Sequence, residues 1–296
     1  MKITVIDVGG TFIKHALMNE HNEILERGKI PTPMSNRSDF IKTIVDIHNS
    51  YAESEGVALS MPGIIDAEKG ICVAGSALKY NIGANIVAEL RAELPSPIKI
   101  TIENDAKCAA LAESSIGSLA DVKDGFVMIF GTGIGGAFIK DHKVHRGKHF
   151  SAGEISFIVP EQDVDMLEEN FFGFQCGVPQ ICKSFAKKKN LPSETVDGIA
   201  FFSAVRQNDP IAVECLEQFT RRVARQIINL QMILDPERFA IGGGISAQSI
   251  FIDYIKKHID AFHSQCQYDF PKPSVVTCKF QNDANLIGAL HHFLDA

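Results

Sequence analysis

Residues 102–112 read I-E-N-D-A-K-C-A-A-L-A, directly after an isoleucine-rich run at 98–102. A strand that runs straight into an Asn-Asp pair at a helix start holds one carboxylate, Asp105, on rigid backbone at the mouth of a site. Such a carboxylate could take a proton from a hydroxyl while phosphate is delivered from the other side. Asn and Asp are also ordinary helix N-caps, and on this segment alone the plainer role stands beside the chemical one. The chemical role gains weight from three glycine-rich turns that could hold a phosphate donor.

The first turn is Asp7-Val8-Gly9-Gly10-Thr11, with Lys14 close behind. Gly9 and Gly10 let backbone N–H groups approach an anion, and Thr11 adds a hydroxyl donor. Asp7 could hold Mg²⁺, directly or through water. A lone Gly-Gly-Thr is also what a plain hairpin turn looks like. The second turn, Gly131-Thr132-Gly133-Ile134-Gly135-Gly136, is denser in glycine. It lacks the Gly-Lys-Ser/Thr of a Walker A loop, and it returns as a strand rather than opening a helix as a dinucleotide fingerprint would. Two such hairpins suit a polyphosphate clamped from opposite sides. The third turn, Gly242-Gly243-Gly244, would let an adenine ring lie against bare backbone, or would serve a tight strand–helix junction.

The elements that must carry these turns follow from hydrophobic spacing. Strands are expected at 3–8, 12–18 and 23–30, ahead of the Pro31-Thr32-Pro33 break, and again at 57–61. Helical spacing covers 38–55, with Phe40, Ile41, Ile44, Ile47 and Tyr51 on one face, and 87–94 ahead of the Pro95-Ser96-Pro97 stop. A second strand–turn–strand starts at Phe126. Leu216, Phe219, Val223, Ile227, Leu230 and Leu234 mark one face of a helix that should stop at Asp235-Pro236. A short strand at 238–241 meets the third turn, and a helix spans 286–294. The strand–Gly-Thr–strand pattern occurs twice, about 120 residues apart, which points to an internally duplicated α/β architecture.

A chain of 296 residues accommodates about two domains. Its net charge of −7 argues against a general nucleic-acid surface. Seven scattered cysteines, an odd number, read as a reduced intracellular chain. No apolar run has the length of a membrane span, and the strand beginning at Ile3 leaves no room for a signal peptide. A soluble cytoplasmic protein with no nucleic-acid or membrane partner is expected.

Six segments in order resemble the ROK family of sugar kinases, within the actin-like ATPase superfamily. They are D-V-G-G-T-F-I-K at 7–14, S-M-P-G-I-I-D at 60–66, E-N-D-A at 103–106, G-T-G-I-G-G at 131–136, S-A-G-E-I at 151–155 and I-G-G-G-I-S at 241–246. The resemblance implies two ribonuclease-H-like domains with the active site in the interdomain cleft. One would cover 1–116, completed by the C-terminal helix at 285–296, and the other 117–284. It also implies ATP with Mg²⁺, a sugar substrate and a homodimer. Asp105 falls on the family's catalytic base and Asn104 on a sugar-hydroxyl ligand. Glu154 falls on the sugar-binding glutamate, with Gly63 and Ser156 beside the sugar. Asp7, Gly9, Gly10, Thr11, Lys14, Gly131, Thr132, Gly133 and Gly135 would serve the ATP phosphates and metal, and Gly243 and Gly244 the adenosine.

This sequence also departs from the family. The family's Ala-Gly-Glu segment usually continues to Gly-His, and that His binds a structural zinc; here Ser156 and Phe157 stand there. The usual cysteine cluster is reduced to Cys176 and an out-of-step Cys182, too few for a four-ligand site, so no structural zinc is expected. Residues 75–80 lack the Asn-Leu and tryptophan of glucose-specific members. His145, His149, His291 and His292 show no metal spacing. The implied activity is transfer of the γ-phosphate of ATP to a hexose hydroxyl, at C6. β-Glucosides such as cellobiose are favoured because the wall at the anomeric end is altered. The alternatives are glucose or fructose, an N-acetylhexosamine, and a non-catalytic sugar sensor. The family's repressors carry a helix-turn-helix ahead of the core, for which a core beginning at Ile3 leaves no space.

Overall fold

The computed structural model describes residues 1–75, 77–94, 97–160 and 167–296. Ser76 of the 75–80 segment and Pro95-Ser96 of the proline stop lie outside the described residues. The chain packs as two units. The first comprises Met1–Ile116, Arg146–Ala152 and Asn282–Ala296, and the second Gly117–His145 and Gly153–Gln281.

The first unit is built on strands β1 (Lys2–Val8), β2 (Phe12–Asn19), β3 (Ile24–Pro31), β4 (Gly56–Met61) and β7 (Lys99–Asn104), in the order β3-β2-β1-β4-β7. β1 and β4 are buried along almost their whole length, as central strands covered on both faces should be, whereas β3 alternates towards solvent as an edge strand. β2 and β3 run antiparallel to their neighbours, and β4 and β7 run parallel to β1. Helices α1 (Arg37–Ser50), α2 (Ile86–Glu93) and α3 (Asp105–Ile116) and a small hairpin, β5 (Ile64–Asp66) with β6 (Ile71–Ala74), complete this part. Phe40, Ile44, Leu59, Leu90 and Ile102 belong to its core. Each such side chain contributes about 1.5–3 kcal/mol when fully buried.

α1 starts where expected, with the Asn36 side chain accepting from the Asp39 N–H. It ends at Ser50, short of the residue 55 that spacing allowed. The Tyr51 N–H turns back to the His48 carbonyl, and Ser54 Oγ accepts the Thr4 N–H at 2.9 Å, pulling residues 51–54 onto β1.

The second unit repeats the plan. Strands β8 (Gly125–Phe130), β9 (Ile134–Lys140), β10 (Lys143–Val144), β11 (Arg238–Gly242) and β12 (Val275–Thr277) lie in the order β10-β9-β8-β11-β12. Again the pairings on one side are antiparallel, β9 with β8 and β10 with β9, and β11 and β12 run parallel to β8. The duplication read from the two hairpins is therefore a duplication of topology. Helices α4 (Phe172–Gln175), α5 (Val178–Lys188), α6 (Gly198–Arg206), α7 (Pro210–Leu234) and α8 (Ser249–Gln265) pack around a separate core containing Phe126, Phe201, Phe219, Phe239 and Phe251. α7 stops at Leu234 because Asp235 turns left-handed ahead of Pro236.

Helix α9 (Ala284–Asp295) returns to the first unit and crosses α3. A Cβ on Gly288 would lie 1.7 Å from the Cys108 carbonyl oxygen, so only glycine permits that approach. The crossing seats the body of α3, whose first residue is Asp105.

Candidate active site

In the first unit the N-terminus of α3 is wired at several points. The Asn104 side chain accepts the Lys107 N–H at 3.0 Å, which is an N-cap bond. Its Nδ2 donates to the Gly63 carbonyl at 2.9 Å and to Asp105 Oδ1 at 3.0 Å. The same Oδ1 accepts the Ala106 N–H at 2.8 Å. The capping and chemical readings of the Asn-Asp pair thus separate: Asn104 caps, and Asp105 stands in the first turn with its carboxylate orientation fixed. Both donor hydrogens of the Asn104 amide are engaged, which leaves its oxygen to accept one further bond.

Asp7, at the end of β1, is 7% exposed. Asn285 Nδ2 donates to its Oδ1 at 2.9 Å, the Ser60 hydroxyl approaches at 3.4 Å, and Lys14 Nζ lies 3.8 Å from Oδ2. Burial raises its carboxyl above the usual value, against the opposing pull of Asn285, Lys14 and Ser60. A desolvated carboxylate so sparsely compensated is suited to a divalent cation. The first glycine turn lies beside it. Gly9 donates to the Phe12 carbonyl, and buried Thr32 fixes the turn through its Oγ1 on the Gly9 carbonyl at 2.7 Å and its N–H on the Thr11 carbonyl at 3.0 Å. Gly10 and Thr11 are exposed at the tip.

In the second unit Gly131, Thr132 and Gly133 are exposed at the turn between β8 and β9, and Gly135 lies on β9. The Gly131 N–H bonds the Gly133 carbonyl, and α5 is pinned to the turn by its Val178 N–H on the Gly131 carbonyl at 2.9 Å. Gly131 and Thr132 line a cavity of about 440 Å³ together with Ile199, Phe202, Gly244 and Gln248. That volume and its apolar walls are of the size and kind that take a small organic ligand.

The third glycine turn divides its labour. A Cβ at Gly243, whose φ is +86°, would meet the Phe130 carbonyl oxygen at 2.1 Å, and one at Gly242 would meet Ile129 at 2.6 Å. Gly244 has nothing within 4 Å of such an atom and opens to the cavity. The tight-junction reading fits Gly242 and Gly243, and the open-backbone reading fits Gly244.

Glu154 leads into a short 3₁₀ turn, Ile155–Phe157. Ser156 Oγ donates to the Ile134 carbonyl at 2.6 Å and receives the Ile134 N–H at 3.4 Å, so its hydroxyl supports the second glycine turn. Phe157 is 53% exposed, and its ring meets Phe171 edge-on at 5.8 Å. It does not fill a core. Cys176 and Cys182 are buried in the apolar core of this unit.

Sequence reasoning passed over Thr32, Glu103, Lys107, Arg146 and Asn285. Glu103 and Lys107 flank the Asn-Asp pair, and two further charges beside that pair were the available signal. Thr32, Arg146 and Asn285 reach their places only through the fold.

The model of the ROK family matches residues 3–296. The chain belongs to the ROK family. It is a sugar kinase of that family, an enzyme that transfers a phosphoryl group. This ROK kinase is 28% identical over 296 residues to a β-glucoside kinase of Klebsiella pneumoniae, covering 99% of this chain and 96% of that one. It is 30% identical over 272 residues to an N-acetyl-D-glucosamine kinase of Vibrio parahaemolyticus, covering 86% and 88%. Among solved structures it is similar to a ROK family protein of Streptococcus pneumoniae in complex with sucrose, with a TM-score of 0.89 and 29% identity, covering 100% and 98% of the two chains. The actin-like fold of the ROK kinases accounts for the two sheets of one topology. Among the described residues, no helix is long and apolar enough to cross a membrane.

Proposed function

We propose that this kinase transfers the γ-phosphoryl group of ATP to the C6 hydroxyl of a β-glucoside such as cellobiose. Asp105 serves as general base: its carboxylate is held by Asn104 and Ala106 in one orientation, the arrangement that accepting a substrate proton requires. Asn104, Gly63 and Glu154 hold sugar hydroxyls, and Ser156 acts beside them by supporting the Gly131–Gly133 turn. The exposed residues Gly10, Thr11, Thr132 and Gly133 of the two glycine turns cradle the phosphates, with Lys14 near the first, while the Gly9 and Gly131 N–H groups close the turns themselves. The cavity walled by Ile199, Phe202 and Gly244 takes the base. Asp7 would hold Mg²⁺, directly or through water, and such an ion would supply charge neutralisation for the phosphate. Most of the acceleration then comes from positioning and preorganised electrostatics.

The observation that carries the β-glucoside reading is the exposed ring of Phe157, standing three residues after Glu154 where zinc-bearing members have histidine. An aromatic face there can stack on a second sugar ring. The whole-chain similarity to β-glucoside kinases supports the same choice. A coupled ADP-release assay comparing glucose with cellobiose tests it. Cellobiose should show a kcat/KM about tenfold higher, which needs only about 1.4 kcal/mol of added transition-state binding. Preference for free glucose with no turnover of the disaccharide would reject it.

A further inference from the structure

We propose that Arg146 is a positioning residue for the Asn104–Asp105 pair, acting through the buried carboxylate of Glu103. This rests on the reading of Asp105 as general base.

Glu103 is the penultimate residue of β7 and is 0% exposed. Its two oxygens are divided between two tasks. Oε1 accepts the backbone N–H of Asn104 at 2.8 Å. Oε2 receives Arg146 Nε at 2.8 Å and Arg146 Nη2 at 2.7 Å. The plane and position of the carboxylate are therefore set by a guanidinium on one side. On the other side that carboxylate sets the peptide joining β7 to the residue that caps α3. A fork of N–H donors on a rigid plane fixes geometry in a way an ammonium does not.

Arg146 arrives on a strap, residues 146–152, that packs with the first unit although the chain on either side of it belongs to the second. The strap has its own closure, with the Ala152 N–H on the Arg146 carbonyl at 3.2 Å. Phe150, a non-glycine residue, sits at a φ of +61°. A bulky side chain in the left-handed region persists only where its surroundings hold it. What holds it is visible: Lys107 Nζ, on the first turn of α3 and 0% exposed, donates to the Phe150 carbonyl at 2.9 Å. Arg146 and Lys107 thus tie the strap to Glu103, just before Asn104–Asp105, and to the first turn of α3 just beyond that pair.

A buried ion pair is poor evidence for stability, because desolvation offsets the attraction. Its use here is geometric. Groups that feel the charge of Glu103 include Arg146 on the strap, His292 on α9 and Cys108 on α3. Burial holds His292 below the usual imidazole value, so it stays neutral at physiological pH and does not stand in for Arg146. Cys108, fully buried, is pushed well above the usual thiol value and stays protonated.

The test is a set of three variants read for kcat, for KM of ATP and for melting temperature. Arg146→Met leaves Glu103 without its cation; kcat should fall about 10–100-fold, the loss expected of a reacting group displaced by about an ångström, with KM for ATP unchanged. That variant is expected to melt early. The double variant Glu103→Gln with Arg146→Met removes both charges and should recover the melting temperature while kcat stays at least tenfold down. Arg146→Lys keeps the charge without the fork and should fall between wild type and Arg146→Met in kcat. A double variant with wild-type kcat, or a kcat in Arg146→Met or Arg146→Lys equal to wild type, would overturn the positioning role. Asp105→Asn, run alongside, separates the two readings: if it retains turnover, the base assignment is what has failed.

Discussion

The hairpins β1–β2 and β8–β9 occupy the same place in two sheets of one order, yet they carry opposite chemistry. Asp7 of β1 lies opposite Lys14 on one side and Ser60 on the other. The corresponding position of β8 is Ile129, opposite Gly135 and Gly242. One copy places a buried carboxylate, a lysine and a hydroxyl behind its glycine turn. The other places an isoleucine between two glycines, with an apolar cavity beside its turn. Duplication supplied two identical frames, and the residues one step behind each turn divided the work. The first frame became the ionic half, organised by buried charges such as Asp7, Glu103 and Lys107. The second offers exposed backbone and an apolar cavity in place of charge.

The ionic half should be the more fragile in activity and the less costly in stability. Asp7→Asn is expected to lower kcat by at least about 10²-fold, the scale for losing one preorganised electrostatic group. Burial raises the Asp7 carboxyl in the folded chain, so whatever stability this group gives is present at low pH and is lost as pH rises through the raised value. At neutral pH the isosteric amide removes that cost, and the variant should melt a few degrees above wild type, since about 1 kcal/mol moves Tm by about 2–4 °C in a chain of this size. The difference should shrink as pH falls through the raised value and wild-type Asp7 takes up its proton. Calorimetry across that range checks it; a variant that melts earlier at every pH would show that Asp7 is a structural anchor instead.

The backbone half should respond to bulk, with a smaller effect that depends sharply on position. Gly244→Val adds methyl groups to open space in the cavity, so the fold should be kept while KM for ATP rises about tenfold, and KM for the sugar should not move. Gly243→Ala, one residue earlier, drives a Cβ into the Phe130 backbone at a positive φ and should destabilise the protein instead. Equal KM values for ATP in Gly244→Val and wild type would remove the nucleotide from this cavity.

Much of this was legible in the sequence because it rests on local patterns. The two glycine hairpins, the strand before Asn104 and the apolar face of α7 are all set by short-range spacing, and they fall where that spacing put them. α5, α6 and α8 were not singled out, although in α8 the signal was present: its buried Phe251, Ile252, Ile255 and Ile259 recur at helical spacing over 17 residues. The dual part of Asn104 was half visible: its type announced a cap, but only the fold brings the Gly63 carbonyl to its amide. Arg146, Thr32 and Asn285 could not be found, since each meets its partner across a long stretch of chain, 278 residues in the case of Asn285 and Asp7. The exposure of Phe157 is a property of the tertiary arrangement, which no local spacing sets.

Asp105 bears the greatest weight in the assignment of roles, and it can be examined with one substitution. Asp105→Asn keeps the shape and the bonds from Ala106 and Asn104 to the side-chain oxygen but cannot take a proton. Turnover of purified Asp105→Asn, followed by coupled ADP release at saturating ATP and sugar, should fall by at least about 10²-fold, the lower end for general-base catalysis. Its melting temperature and its sugar affinity by calorimetry should stay close to wild type. A variant that kept more than about a tenth of wild-type kcat would contradict the assignment of Asp105 as the base.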